Sequence, residues 1–253
     1  MAVRRILRSV SIRARRRLAD LSPAEAARAR KDQEALQARI PGLENFDEIA
    51  ERVDSLFAPY HADYCARVGH PNHAASVELL SFMLVLAKLT QPKRIVDLGS
   101  GLTSYSLRRL SAEISDGGGP LVDALGGWDG PAPRITSVDD NEEWLEKTRG
   151  YLDEQGVTTD DLFYWPDFSA SGVAGQFDLV LHDMGMMDTR ARTLVEVVGL
   201  SRAGGVVVLD DMHKTDYRAG ALKDMEAGGV PTLSAKAFTR DYLTRFAYVS
   251  FPG

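Results

Sequence analysis

The chain has 253 residues, 44% of them hydrophobic, enough to bury a full core as one large domain. A single cysteine, Cys65, excludes an internal disulfide framework and fits a reducing cytoplasm. A net charge of −6 argues against a body built for nucleic acid. The longest apolar run, Leu79–Leu89, is broken by Ser81 and Lys88 and falls short of a membrane span. A soluble, cytoplasmic protein is the expectation.

The charge is unevenly spread. Residues 1–20 hold seven arginines and one acid, Asp20, for +6, which leaves −12 on the remainder. Val3, Ile6, Leu7 and Val10 share one helical face of this arm, without the continuous apolar segment of a secretory signal. A solvated basic helix, a contact with anionic lipid or an acidic partner, and a transit peptide are the readings it allows. Ser22-Pro23-Ala24-Glu25 then marks a helix start, and the helix runs to about Arg39, where Pro41-Gly42 ends it. From Glu44 to about Ala66, Phe46, Ile49, Val53, Leu56, Phe57, Tyr60 and Tyr64 recur at three- and four-residue steps, predicting an amphipathic helix that needs a surface to cover. Ser76–Thr90 predicts a buried helix. Residues 1–75 thus read as a helical N-terminal extension and 76–253 as the main α/β unit.

Strand and helix patterns alternate from there. Strands are predicted at Arg94–Leu98, Ile135–Val138, Leu162–Trp165, Phe177–Leu181 and Gly205–Leu209, with helices at Ser104–Glu113, Glu142 to about Gln155, near Thr189–Leu200, and Tyr217–Ala227. Arg245–Phe251 alternates like an edge or antiparallel strand. Such βα units imply a doubly wound, mostly parallel sheet with helices on both faces. Six glycines and three prolines within residues 115–133 predict a long loop with no regular element.

Residues 94–104 carry the strongest signal: Arg-Ile-Val-Asp-Leu-Gly-Ser-Gly-Leu-Thr-Ser. An apolar run ends at Asp97, and Gly99, Ser100 and Gly101 follow at once. Glycines at a strand end let the backbone pass close to a ligand, and a helix starting just beyond aims free N–H groups at it. A dinucleotide fingerprint would put a third glycine where this chain has Ser104, and an acid about twenty residues further on. Here the next strand ends at Asp139, 40 residues beyond Gly99.

Asp-x-Gly-x-Gly at Asp97–Gly101 resembles motif I of the class I S-adenosylmethionine-dependent methyltransferases. Ile135-Thr-Ser-Val-Asp139-Asp140 is similar to that family's second strand, whose terminal acid holds the ribose hydroxyls; a carboxylate suits a diol because it accepts two hydrogen bonds. Asp140 also suits a helix cap before Asn141-Glu142. Trp165-Pro-Asp167 lies where the family commonly has an acid beside the adenine amino group. Phe177–Asp183 and Ser201–Asp211 resemble its fourth and fifth strands. The resemblance covers about residues 76–253 and implies a seven-stranded Rossmann-like sheet, S-adenosylmethionine as methyl donor, and Asp97, Gly99, Ser100, Gly101, Asp139, Asp140 and Asp167 as its contacts. One departure is Thr103, where many members have a third glycine.

In that topology the fourth and fifth strands are neighbours, so Asp183 converges with Asp210 and Asp211. Three carboxylates repel one another unless a cation or proton offsets them, and oxygen-only ligands suit Mg²⁺. The arrangement is similar to the metal-dependent O-methyltransferases of the catechol and macrolide-sugar types, which implies a magnesium ion that binds the acceptor hydroxyl and favours its alkoxide. The lysine those catechol enzymes carry three residues after the first acid is Met186 here, which leaves His182 and His213 beside Asp183 as catalytic candidates. His61, His70 and His73 lie in the extension, with a surface or lid role. Met184, Met186 and Met187 follow the fourth strand, as core filling or as substrate packing.

The expectation is a methyltransferase acting on a small-molecule hydroxyl (sugar, polyketide or phenolic), with S-adenosylmethionine and Mg²⁺, no nucleic acid partner, and room for a homo-oligomer. The alternatives are a nicotinamide-dependent oxidoreductase and a non-catalytic cofactor-fold binding module. The first lacks a Tyr-x-x-x-Lys pair, since neither Tyr217 nor Tyr242 has a lysine four residues later.

Overall fold

The computed structural model describes residues 17–70 and 72–253. The basic arm's apolar face at Val3–Val10 lies outside them. Ser22 and Glu25 form the reciprocal capping box that opens helix α1 (Pro23–Arg39). A 3₁₀ turn at Leu43–Asn45 leads into α2 (Phe46–Arg67), and α3 (Val77–Thr90), capped by Ser76, is buried continuously from Leu79 to Ala87.

The main unit runs β1 (Arg94–Leu98), α4 (Leu102–Ser115), α5 (Pro120–Ala124), β2 (Arg134–Asp139), α6 (Glu142–Glu154), β3 (Leu162–Tyr164), α7 (Trp165–Ser169) and β4 (Phe177–His182). It continues through α8 (Met187–Val198), β5 (Ser201–Leu209), α9 (Thr215–Ala227), β6 (Thr232–Ser234), α10 (Lys236–Thr239) and β7 (Tyr248–Ser250). The seven strands lie in the order β3-β2-β1-β4-β5-β7-β6, with β7 antiparallel to both neighbours and the other pairs parallel.

Alternation along the strands builds two cores. Ile95, Leu179, Leu181, Val206 and Val208 face the layer made by α1–α6, while Val96, Leu98, Val180, Val207 and Leu209 face α7, α8 and α9. The helical extension shares the first core: Phe82 stacks on Phe238 of α10 at 5.6 Å, and Phe46 meets both rings edge-on. Arg17, 9% exposed, ties α2 to α10 by donating to Asp47 Oδ1 (2.9 Å) and the Ala237 carbonyl (3.2 Å).

The structure departs from the sequence pattern in four places. The Gly/Pro-rich stretch holds α5 after all, because Pro120 opens it, Leu121 and Val122 bury, and Glu113 accepts from both of their amides. β3 stops at Tyr164 since Trp165-Pro166 starts α7. β5 begins at Ser201 rather than Gly205, its register against β4 shifting between Phe177 and Leu179. β6 and α10 fill the segment between α9 and β7.

The turn after β1 is gripped from both sides. Gly99 N–H donates to the Val138 carbonyl (2.9 Å), and Asp183 N–H donates to the Leu98 carbonyl (2.7 Å). Gly99 has φ +107, and a Cβ there would lie 2.6 Å from the carbonyl carbon and oxygen of Asp183. Glycine is required for both reasons.

Two measurements check this account. Phe82→Ala is expected to lower stability by about 3–5 kcal/mol and to shift one transition shared by extension and sheet, since the core is continuous. Gly99→Ala is expected to lower it by about 3 kcal/mol or more, whereas Gly150→Ala, in the open middle of α6, stabilises by about 0.5–1 kcal/mol. Denaturant midpoints distinguish these outcomes.

Candidate active site

In this strand order the chain leaves β1 toward β2 and β3 and later returns to β4, so a crevice opens at the carboxyl ends of β1 and β4. The candidate residues lie at those strand ends, and the sheet brings together Asp97–Gly101, Asp139–Asp140 and the acids Asp183, Asp210 and Asp211.

Asp97 is fully buried beneath the turn. It accepts from Ser104 Oγ (2.6 Å) and from Thr103 Oγ1 (3.0 Å), and burial pushes its pKa up to about 7 against the help of those hydroxyls. Asp139 accepts from the Ser100 amide (2.8 Å) and hydroxyl (2.9 Å) through Oδ2, and from the Asn141 amide (3.0 Å) through Oδ1. Burial raises its pKa to about 6. Trp144 Nε1 donates to the Ser100 carbonyl (2.7 Å), so both ends of that residue's backbone are engaged within the chain. Tyr64, from the extension, brings its buried hydroxyl to 2.9 Å from where a Gly101 Cβ would sit, and this hydroxyl has no hydrogen-bond partner among the described residues. Asp97 and Asp139 therefore brace the turn.

Asp140 behaves differently from Asp139. Its half-buried carboxylate lines a cleft of about 330 Å³ together with Tyr164, Trp165, Pro166, Thr189, Arg192 and Thr193. Gly185, with φ +73, makes room for it: a Cβ there would fall 2.6 Å from Asp140 Oδ2. Asp167 is exposed on α7 and does not line this cleft.

The acid cluster contains an arginine. Arg190, 5% exposed in the first turn of α8, donates through Nη2 to Asp183 Oδ1 (2.6 Å) and the Asp183 carbonyl (2.7 Å), and through Nε to the Gly185 carbonyl (3.1 Å). Its Nη1 lies 3.0 Å from Asp211 Oδ2. Burial raises the pKa of Asp183 well above the carboxylate range, Arg190 opposing and the neighbouring acids reinforcing; burial raises Asp210 to about 6. The cation that must offset these carboxylates is thus a side chain. A magnesium ion does not fit: guanidinium nitrogens hold the oxygens of Asp183 and Asp211 that would ligate it, and among the described residues no three His, Cys, Asp or Glu side chains converge as ligands.

The histidines divide. His182 is fully buried, meets Thr193 Oγ1 at 3.2 Å, and is held neutral by burial and then by Arg190, its pKa near 3. It braces α8 against the sheet rather than facing a substrate. His213 is half-buried with Nδ1 3.4 Å from Asp211 Oδ1, and burial lowers its pKa. Arg245 links this mouth to the extension, donating to the Ala74 carbonyl (3.0 Å) and pairing with Asp241 (2.7 Å). His70 and His73 are exposed and His61 half-buried; Met184 is buried core, while Met186 is 76% exposed.

Arg190, Tyr64, Trp144 and the Thr189–Thr193 wall were not distinguishable by local pattern. The one available signal was charge: three converging acids demand a partner, and Arg190 is the first arginine of the helix that follows Asp183.

Because Asp97 and Asp139 titrate near 7 and 6, the folded chain binds more protons than the unfolded chain between the ordinary carboxylate range and those values. Stability is therefore fully present at the acid end of that window and declines as pH rises through it. Asp97→Asn, which cannot ionise, is expected to flatten this decline by up to about 1.4 kcal/mol per pH unit. Denaturation midpoints measured across the window check it, and an unchanged slope would mean that Asp97 is ionised throughout.

No family model matches the sequence, and no curated protein matches it. Solved structures do match. The O-methyltransferase TomG from Streptomyces achromogenes, involved in tomaymycin synthesis and in complex with S-adenosylmethionine, is 20% identical over 80% of this chain and 98% of its own, with a TM-score of 0.52. A methyltransferase from Podospora anserina bound to S-adenosylhomocysteine is 15% identical over 78% and 88%, with a TM-score of 0.52. An O-methyltransferase from Bacillus cereus in complex with S-adenosylhomocysteine is 16% identical over 88% and 97%, with a TM-score of 0.50. With its sheet order and its glycine turn after β1, the chain has the fold of the class I S-adenosylmethionine-dependent O-methyltransferases.

Proposed function

We propose that the chain transfers a methyl group from S-adenosylmethionine to a hydroxyl oxygen of a small molecule. The observation that carries this reading is the juxtaposition, at one crevice, of the glycine turn, an acid-lined cleft and a buried acid with a free oxygen. The cleft suits a nucleoside: Tyr164, Trp165 and Pro166 offer flat apolar surface, and the Asp140 carboxylate, which accepts no hydrogen bond among the described residues, takes the ribose hydroxyls. This moves the ribose role from Asp139, whose oxygens are already used, to its neighbour. The donor supplies a methyl group on a sulfonium, open to in-line displacement.

The chain's own task is to position the acceptor and remove its proton. Asp183 Oδ1 is held by Arg190, while Oδ2 has no hydrogen bond among the described residues and receives the acceptor proton. Burial favours this, since a carboxylate of raised proton affinity is a better base near neutrality. His213, its Nδ1 3.4 Å from Asp211 Oδ1 and its pKa lowered by burial, flanks the same mouth. Met186, exposed in the loop after β4, offers apolar contact to an acceptor body. A non-catalytic binding module is the second reading, favoured by the engagement of both Ser100 backbone groups within the chain.

S-adenosylmethionine or S-adenosylhomocysteine is expected to raise the melting temperature, corresponding to about 2.7 kcal/mol at a hundredfold excess over Kd. Asp140→Ala removes most of that shift. Asp183→Asn keeps it but lowers kcat about 10²–10⁴-fold on any accepted hydroxyl, followed with methyl-labelled donor. A shift with NADH in place of both ligands refutes the reading; ligand binding without turnover across phenolic, sugar and polyketide acceptors supports the binding module.

A further inference from the structure

We propose that Arg190 is a built-in cation that takes the place of a divalent metal between Asp183 and Asp211. The guanidinium makes three hydrogen bonds and one ion-pair contact. Nε meets the Gly185 carbonyl, Nη2 meets both the carbonyl and Oδ1 of Asp183, and Nη1 lies 3.0 Å from Asp211 Oδ2. Two of these anchors are backbone carbonyls of the loop between β4 and α8, so the charge is held by the main chain as well as by the acids. With 5% of its surface exposed, the side chain cannot swing into solvent without opening the loop.

The geometry makes guanidinium and metal exclusive occupants. Hard divalent cations take carboxylate oxygens at roughly 2.0–2.6 Å. The nearest oxygens of Asp183 and Asp211 already face guanidinium nitrogens at 2.6 and 3.0 Å, and a metal bridging them would overlap the arginine. Asp211 reinforces the assignment. It holds φ +57, a conformation disfavoured for a residue with a side chain, in a turn whose carboxylate meets Arg190 on one oxygen and His213 on the other. Arginine suits the position better than lysine would, because its planar fork serves several acceptors at once and keeps its charge when buried.

The inference concerns cation identity and holds whichever group the site transfers, so its readout is metal binding. Wild-type protein, Arg190→Ala, Arg190→Lys and the double variant Arg190→Ala/Asp183→Asn are titrated with Mn²⁺ by electron paramagnetic resonance and melted with Mg²⁺ or EDTA. The wild type is expected to bind no Mn²⁺ at the cluster and to melt identically under both conditions. Arg190→Ala is expected to melt lower, to show Mn²⁺ binding that wild type lacks as freed carboxylates become ligands, and to recover stability with Mg²⁺. The double variant loses that binding, and Arg190→Lys stays insensitive. If Arg190→Ala does not fold, Arg190→Gln removes the charge at similar length and carries the same comparison. Mn²⁺ binding by wild type that Asp183→Asn abolishes overturns the proposal, as does absence of binding in the folded charge-removing variant.

Discussion

Gly99 lies against the Asp183 peptide with no space for a side chain, and this backbone contact governs where the rest of the site can be. It brings the ends of β1 and β4 into register, with the Asp183–Leu98 hydrogen bond on one side and the Gly99–Val138 hydrogen bond on the other. The turn after β1 and the acid after β4 are therefore a single mechanical unit. Any residue larger than glycine would push apart the turn after β1 and the acid after β4 together. Asp210, whose amide donates to the His182 carbonyl, extends the same coupling to β5.

Once the strand ends are packed this closely, their polar groups are buried, and the structure handles the resulting desolvation in three ways. Asp97 receives hydroxyl donors from the first turn of α4. Asp139 receives backbone amides, which convert its charge into a clamp on Ser100. Asp183 and Asp211 share a guanidinium. The choice matters for chemistry. Hydroxyls and amides occupy the oxygens of Asp97 and Asp139, whereas Arg190 takes only one oxygen of Asp183 and leaves the other without a hydrogen bond among the described residues.

Most of the parallel sheet was legible because strands buried on both faces read as apolar runs, and β1, β2, β4 and β5 ended where an acid or glycine broke the run. Arg94–Leu98 is the clearest case, its bounds matching the pattern to the residue. The choice between Asp139 and Asp140 was not legible. Both sit at one strand end, and only the path of the chain after β2 turns the first toward Ser100 and the second toward the cleft. Tyr64 and Trp144 were equally hidden, since they look like ordinary apolar positions of amphipathic helices until the fold sets them on the turn. β6 and α5 were missed for a simpler reason: elements of three and five residues have no periodicity to detect.

The departures from the methyltransferase pattern then prove to be connected. Thr103 stands where many members have a glycine, and Ser104 where a dinucleotide fingerprint would have one; both hydroxyls serve the buried Asp97. Met186 stands where the catechol-type enzymes carry a lysine, and the nearest positive charge enters one helical turn later as Arg190. A lysine at the exposed Met186 position would stand at the cluster's solvent edge, whereas Arg190 reaches its centre from within the core. The exposed position after β4 thus carries no charge, and the neutralising cation of the acid cluster comes from the buried face of α8.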